Sequence, residues 1–207
     1  MLFDRNSLFI KFHILTALLV FSFLLCSWAT ATPTEQMASD DWVFIVDEGI
    51  IDAPLSIVEQ HFKDVQKADA MVPGLQTKKI LQQISNIERI DYDHYKLPWP
   101  FKDRYTIYRA KEENISRGEI LFSLNSLENY PFEDKDKVAI RIRESSFLLK
   151  SLPEDETKTR VTIKLTLDPG GFLPTWLINL NSKTWSKDLF KNLQKNIRKE
   201  RTRQKFS

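Results

Sequence analysis

Acid–base and metal chemistry need histidines, cysteines and carboxylates at spacings that bring them together, and this chain holds few. His13, His61 and His94 are its three histidines and Cys26 its one cysteine. His61 falls in a stretch of helical period and His94 in one of strand period. Neither has a nucleophile at a spacing that builds a nucleophile–base pair. Asp91 and Asp93 share one strand face while His94 takes the other, so a metal site would be split across the strand. No glycine-rich phosphate loop occurs. Tyr92 and His94, on one face, are the pair that could act on a substrate held above the strand. Asn114-Ile115-Ser116 matches a glycosylation sequon. No catalytic residue, metal ligand or cofactor is therefore expected, and the informative pattern is apolar.

That pattern is clearest near the C-terminus. Residues 159–167 alternate polar and apolar, the mark of a half-buried strand. Asp168-Pro169-Gly170-Gly171 ends it, since proline lacks the amide and glycine permits unusual dihedrals. A long helix follows from Phe172-Leu173-Pro174-Thr175-Trp176. At about 100° per residue, Leu173, Trp176, Leu177, Leu180 and Thr184 fall on one side. Ile178, Trp185, Leu189, Phe190, Leu193 and Ile197 drift to the opposite side, so the first half is apolar nearly all round. The distal half is basic (Lys191, Lys195, Arg198, Lys199, Arg201, Arg203 and Lys205), which complements the helix dipole and gives a weak attraction to anionic head groups.

The remaining elements must place this helix. Trp42 to Val46 reads as a strand. Asp52-Ala53-Pro54 predicts a capped helix carrying Leu55, Val58, Phe62 and Val65, and a short helix covers Ala68 to Met71. Period two then predicts strands over residues 78–84, 87–95, 104–110, 119–126 and 138–149. Strands bracketed by helices give an α+β fold with an antiparallel sheet whose apolar side must be covered.

The chain has 207 residues and a formal charge of +2, which gives no steering toward nucleic acid. Residues 1–31 combine Arg5 and Lys11, an apolar run, and Ala29-Thr30-Ala31, and read as a cleaved signal peptide rather than a retained anchor. Residues 32–41 form a short polar leader, and 42–203 a single domain. Cleavage removes Cys26, so the mature chain, expected to be periplasmic or secreted, is stable without disulfides.

Two motifs carry a resemblance. Pro98-Trp99-Pro100-Phe101-Lys102-Asp103-Arg104-Tyr105 is similar to the Pro-Trp-Pro and Asp-Arg-Asp segment of the START family. Asp168-Pro169-Gly170-Gly171 running into Trp176-Leu177-Ile178-Asn179 is similar to that family's turn into its final helix. Tyr105 departs from the family's second Asp, which removes an acidic partner. The resemblance implies a helix-grip fold, a curved antiparallel sheet wrapped around the long C-terminal helix, with an apolar tunnel between them for a lipid or other hydrophobic small molecule. Ligand contacts would then come from Ile140, Ile142, Val161, Ile163 and Leu165 on the sheet and from Trp176, Leu177, Leu180 and Thr184 on the helix. Glu144 continues the Ile142 face and is expected at a wet strand end. Trp99, Asp103, Arg104, Asp168 and Gly170 are expected to be structural, with Asp103 or Asp168 pairing to Arg104. A monomer that carries or senses its ligand and touches a membrane transiently is the expectation. The alternatives are an aromatase/cyclase-like enzyme using Tyr92 or His94, and an interaction protein with a filled core.

Overall fold

The computed structural model describes residues 42–205. The signal peptide and leader expected over 1–41 lie outside the described residues, as does the side chain of Leu180. The elements run β1 (Val43–Ile51), α1 (Leu55–Lys63), a 3₁₀ turn (Val65–Lys67), α2 (Ala68–Met71), β2 (Leu75–Gln83), β3 (Glu88–Tyr95), β4 (Arg104–Ser116), β5 (Glu119–Ser126), β6 (Val138–Ala139), β7 (Arg141–Ile142), β8 (Ser145–Leu152), β9 (Asp155–Asp168) and α3 (Thr175–Lys205). The strands form one sheet in the order β1-β9-β8-β5-β4-β3-β2, with β6 on β4 and β7 on β9. Every pairing is antiparallel except β4 with β6. This is the α+β architecture the alternation predicts.

Three local expectations change. Asp52 is not a helix cap: Pro54 occupies that position without a side-chain bond, and Asp52 instead receives Arg198 of α3 at 3.2 Å. Strand β1 runs five residues past Val46 because Gly49 lets α3 approach. A Cβ there would lie 2.8 Å from the Phe190 ring. The single strand expected over 138–149 is three, because the chain changes partner. The Ile140 amide donates to the Tyr105 carbonyl at 2.7 Å, and that of Ile142 to the Ser126 hydroxyl at 2.8 Å. Glu144, exposed as expected, then takes φ 47° before β8 begins.

The sheet buries most of its inner face and, over β3 and β4, part of its outer face. The inner face holds the main core, where Val161, Ile163 and Leu149 join Leu189, Leu193 and Ile197 of α3. Phe62 of α1 stacks on Phe122 and meets Phe147 edge-on, with centroids 5.6 and 5.2 Å apart. On the outer face Ile90, Tyr92, Tyr105 and Ile107 pack with Leu127 and Tyr130 from the connection after β5. That connection is tied down by the Tyr92 hydroxyl, which donates to Asp134 at 2.8 Å. The basic residues Lys191, Lys195, Arg198, Lys199, Arg201 and Arg203 are exposed along distal α3. Among the described residues no helix is long and apolar enough to cross a membrane.

Candidate functional site

The inner sheet face is not covered uniformly. Strand β9 presents Val161, Ile163, Leu165 and Leu167 on one side, by strand alternation. Val161 and Ile163 are completely buried in the core shared with the distal half of α3. Leu165 and Leu167 instead line a cavity of about 520 Å³ under the first half of α3. Leu177, Ile178 and Trp185 form its helical wall, and Phe122, Leu124 and Phe147 part of its sheet wall. A cavity of this size with mostly apolar walls is what small hydrophobic ligands occupy.

The expected ligand residues fall into three groups. Ile140, Ile142, Leu165, Leu177 and Thr184 line the cavity. Val161 and Ile163 lie on the same sheet face but beyond the cavity's end, filled over by the core. Trp176 is 61% exposed and turns away from the cavity. The stripe from Ile178 through Leu189 to Leu193 sets the phase of α3, and Trp176 sits about 200° from Ile178. Leu180 lies outside the described side chains.

One wall is polar. On β3, Arg89, Asp91, Asp93 and Tyr95 face the cavity, opposite Ile90 and Tyr92 on the outer face, and Lys78 and Tyr108 join them from β2 and β4. The Lys78 ammonium lies 3.1 Å from Asp91 and 3.0 Å from Asp93, and Arg89 Nε lies 3.0 Å from Asp91. The Tyr108 and Tyr95 hydroxyls donate to Asp93 at 3.0 and 3.2 Å. Burial acts against the Lys78 charge, but Asp93 and Asp91 outweigh it and hold its pKa above the ordinary lysine value. Burial first, then the Asp93 charge, pushes both tyrosines well above the usual phenol range. The sequence reading missed this wall. Its one signal was three polar residues alternating with Ile90 and Tyr92. Charged residues ordinarily face water, and nothing periodic in residues 127–137 reveals that they cover the outer face.

The family-like motif residues hold the cavity's end together, with different partners from those expected. Arg104 is buried but pairs with neither Asp103 nor Asp168. It donates to backbone carbonyls instead: Pro169 at 3.0 Å, Gly170 at 3.2 Å, and Lys102. The turn after β9 offers a fork of carbonyls, and these suit a guanidinium without a second charge. Burial lowers the Arg104 pKa from its ordinary value. Asp168 pairs with Arg141 and accepts the Gly170 amide at 2.8 Å. Asp103 binds His94 at 2.8 Å and the Leu97 amide at 3.1 Å, and these contacts, the histidine first, hold its carboxyl below the usual range. Tyr105, standing where the family has Asp, stacks on Tyr92 at 5.9 Å in the outer cluster. Trp99, expected to be structural, is 93% exposed and can fix nothing by packing.

Tyr92 and His94, the candidates of the enzyme alternative, do not line the cavity. His61 is buried, with Nδ1 2.8 Å from the Ile57 carbonyl and Nε2 3.4 Å from Glu200. No cluster of potential metal ligands occurs among the described residues.

A long C-terminal helix held against an antiparallel sheet, with a cavity between them, defines the helix-grip class. Within it, the chain has the fold of the STAR-related lipid transfer, or START, domains. A STAR-related lipid transfer protein of Xanthomonas axonopodis superposes with a TM-score of 0.63 at 23% identity, over 74% of this chain and 84% of that one. Human STARD10 superposes at 0.64 with 17% identity, over 80% and 68%. A Streptomyces aromatase/cyclase superposes at 0.54 with 10% identity, over 76% and 94%. In sequence, mouse phosphatidylcholine transfer protein is 26% identical over 74% of this chain and 70% of its own length. An uncharacterized protein of Pseudomonas aeruginosa is 24% identical over 129 residues, 62% of each chain, so the match spans under two thirds of that relative. No family model matches the chain.

Proposed function

We propose that the protein binds a lipid or similar hydrophobic molecule between the sheet and the first half of α3, and carries or senses it outside the cytoplasm. The observation that carries this reading is the cavity of about 520 Å³, apolar over most of its wall, at the point where α3 leaves the packed core. Each 100 Å² of apolar ligand surface taken from water there contributes roughly 2.5 kcal/mol. The lipid-transfer names of the relatives point the same way. Trp99, Phe172 and Trp176 are 93, 63 and 61% exposed, and each is next in sequence to a residue that lines the cavity. Exposed aromatics so placed suit a membrane interface, where indole and phenyl rings settle at head-group depth. Ligand would then enter while the protein rests on a bilayer.

The aromatase/cyclase reading keeps one support, the shared fold with such an enzyme. Against it, Tyr92 and His94 lie off the cavity, and the titratable groups of the polar wall are bonded to one another. Native mass spectrometry of the protein secreted by its own host, with lipid extraction of the same sample, tests the proposal. A stoichiometric lipid on a chain beginning at residue 32 is expected. A bare mass that stays bare after incubation with host lipid extract would sink it.

A further inference from the structure

Given the lipid-binding reading above, the walls and the depth of the cavity decide how many acyl chains it admits. The sheet face under α3 is divided across its width. On β1, β9, β5 and β7 the cavity meets Ile45, Leu165, Leu124 and Ile142. On β2, β3 and β4 it meets Lys78, Arg89, Asp91, Asp93, Tyr95 and Tyr108. Only the first half suits a hydrocarbon chain. Lys78, Arg89 and Asp93 keep 10, 17 and 6% of their side-chain surface open. Methylenes laid on them remove that contact with water and return no hydrogen bond. The apolar track is therefore a single one, between Leu165 and Leu124 of the sheet and Leu177 and Ile178 of α3.

That track is closed at its far end. Leu165 pairs with Ile45, and both line the cavity. Two residues back along β9, Ile163 pairs with Phe147, which pairs in turn with Phe122. The next row, Val161 with Leu149 and Leu149 with Ile120, is buried in the core. Phe62 of α1 lies against both rings of the middle row. Phe62, Phe122 and Phe147 all line the cavity and all pack on the core, so the three rings stand where one ends and the other begins.

The volume agrees with a single track. A methylene takes up about the space of a water in the liquid, roughly 30 Å³. The cavity of about 520 Å³ therefore holds roughly 17 of them. One acyl chain of about 16–18 carbons fills it, and two such chains need about twice the space. We propose that the cavity takes one acyl chain. Its ligand is then a single-chain lipid, two-chain phospholipids are excluded, and the rings of Phe62, Phe122 and Phe147 set the longest chain admitted.

The test holds the head group constant and varies the chains. The full chain is titrated with phosphatidylcholines below their micelle concentrations, each displacing the neutral dye Nile red. Dodecanoyl-lysophosphatidylcholine and dihexanoylphosphatidylcholine carry the same number of chain carbons, in one chain or in two. The one-chain lipid is expected to bind at least tenfold tighter. Along a series of lysophosphatidylcholines, affinity should rise to about 16–18 chain carbons and then stop rising. Phe147→Ala takes a ring from the closed end, on the order of 100 Å³, and should move that limit out by about three or four carbons. If this variant fails to fold, Phe122→Ala asks the same of the neighbouring strand, and the wild-type comparisons decide without either. Equal affinities for the matched pair, or a rise that continues to about 22 carbons, would overturn the one-chain inference and leave the lipid-binding reading standing. No uptake of the dye, or no displacement of it by any of these lipids, would overturn both.

Discussion

Arg104 shows how one side chain can fasten two distant segments without a charged partner. It begins β4, and its guanidinium reaches 65 and 66 residues along the chain to the carbonyls of Pro169 and Gly170. Gly170 must present that carbonyl from φ +67°, and a Cβ there would fall 2.1 Å from the Ala139 carbonyl oxygen. Both the dihedral and the contact are closed to any other residue, because the obstacle is backbone. Gly49 is tight for a different reason: its obstacle is the Phe190 ring, which can shift. Gly170→Ala should therefore cost about 2–4 kcal/mol and Gly49→Ala about 1–2 kcal/mol. Urea denaturation midpoints compare the two, and equal midpoints would contradict the account. The sequence marked Arg104, Asp168 and Gly170 as structural. It could not show which acceptor Arg104 takes, since a carbonyl fork and a carboxylate satisfy a guanidinium equally and only the path of the turn decides.

Helix α3 does two jobs along its length. Leu193 and Ile197 are sealed into the core, Leu189 lies where core and cavity meet, and Leu177 and Ile178 form a wall of the cavity. Leu193→Ala opens a void in a filled region and should cost about 2–5 kcal/mol. Leu177→Ala enlarges a space that already exists, so a cost under about 2 kcal/mol is expected, together with altered ligand affinity. Chemical denaturation beside Nile red titration separates the two, and a larger stability loss at Leu177 than at Leu193 would refute the division. The change from an all-round apolar start to a single apolar stripe was legible in the residues. The phase was not. The all-round apolar start fits an inward Trp176 as well as an outward one, and the distal stripe with the turn at 168–174 settles the matter. The strand over 138–149 hid its breaks because apolar residues continue through it: Ile140 and Ile142 line the cavity, and past Glu144, at φ 47°, the phase shifts by one so that Ser145 and Phe147 line it.

At the scale of the whole molecule, the core and the cavity share one sheet face, and on β9 they meet at Leu165, which belongs to both. Helix-grip architecture could be read from the order of elements, but the place where packing stops could not, since filled and hollow regions have the same periodicity. The polar wall was invisible for the related reason that alternation marks two faces without saying which is wet. Under the proposed function, the opening of the cavity, rather than its depth, governs ligand exchange. Trp99, Phe172 and Trp176 stand out from the segments that bound it, and none is needed to line it. Replacing all three with alanine should leave equilibrium affinity for 1-hexadecanol within about threefold, since no cavity wall changes. The same variant should move a fluorescent lipid between phosphatidylcholine vesicles at least tenfold more slowly, because burying one such ring in the bilayer contributes about 1.5–3 kcal/mol to docking. Stopped-flow transfer beside the displacement titration separates the two quantities. An unchanged transfer rate would show that ligand passes through water or through another face, whereas a matching loss of affinity would place the three rings inside the binding site instead of at the membrane.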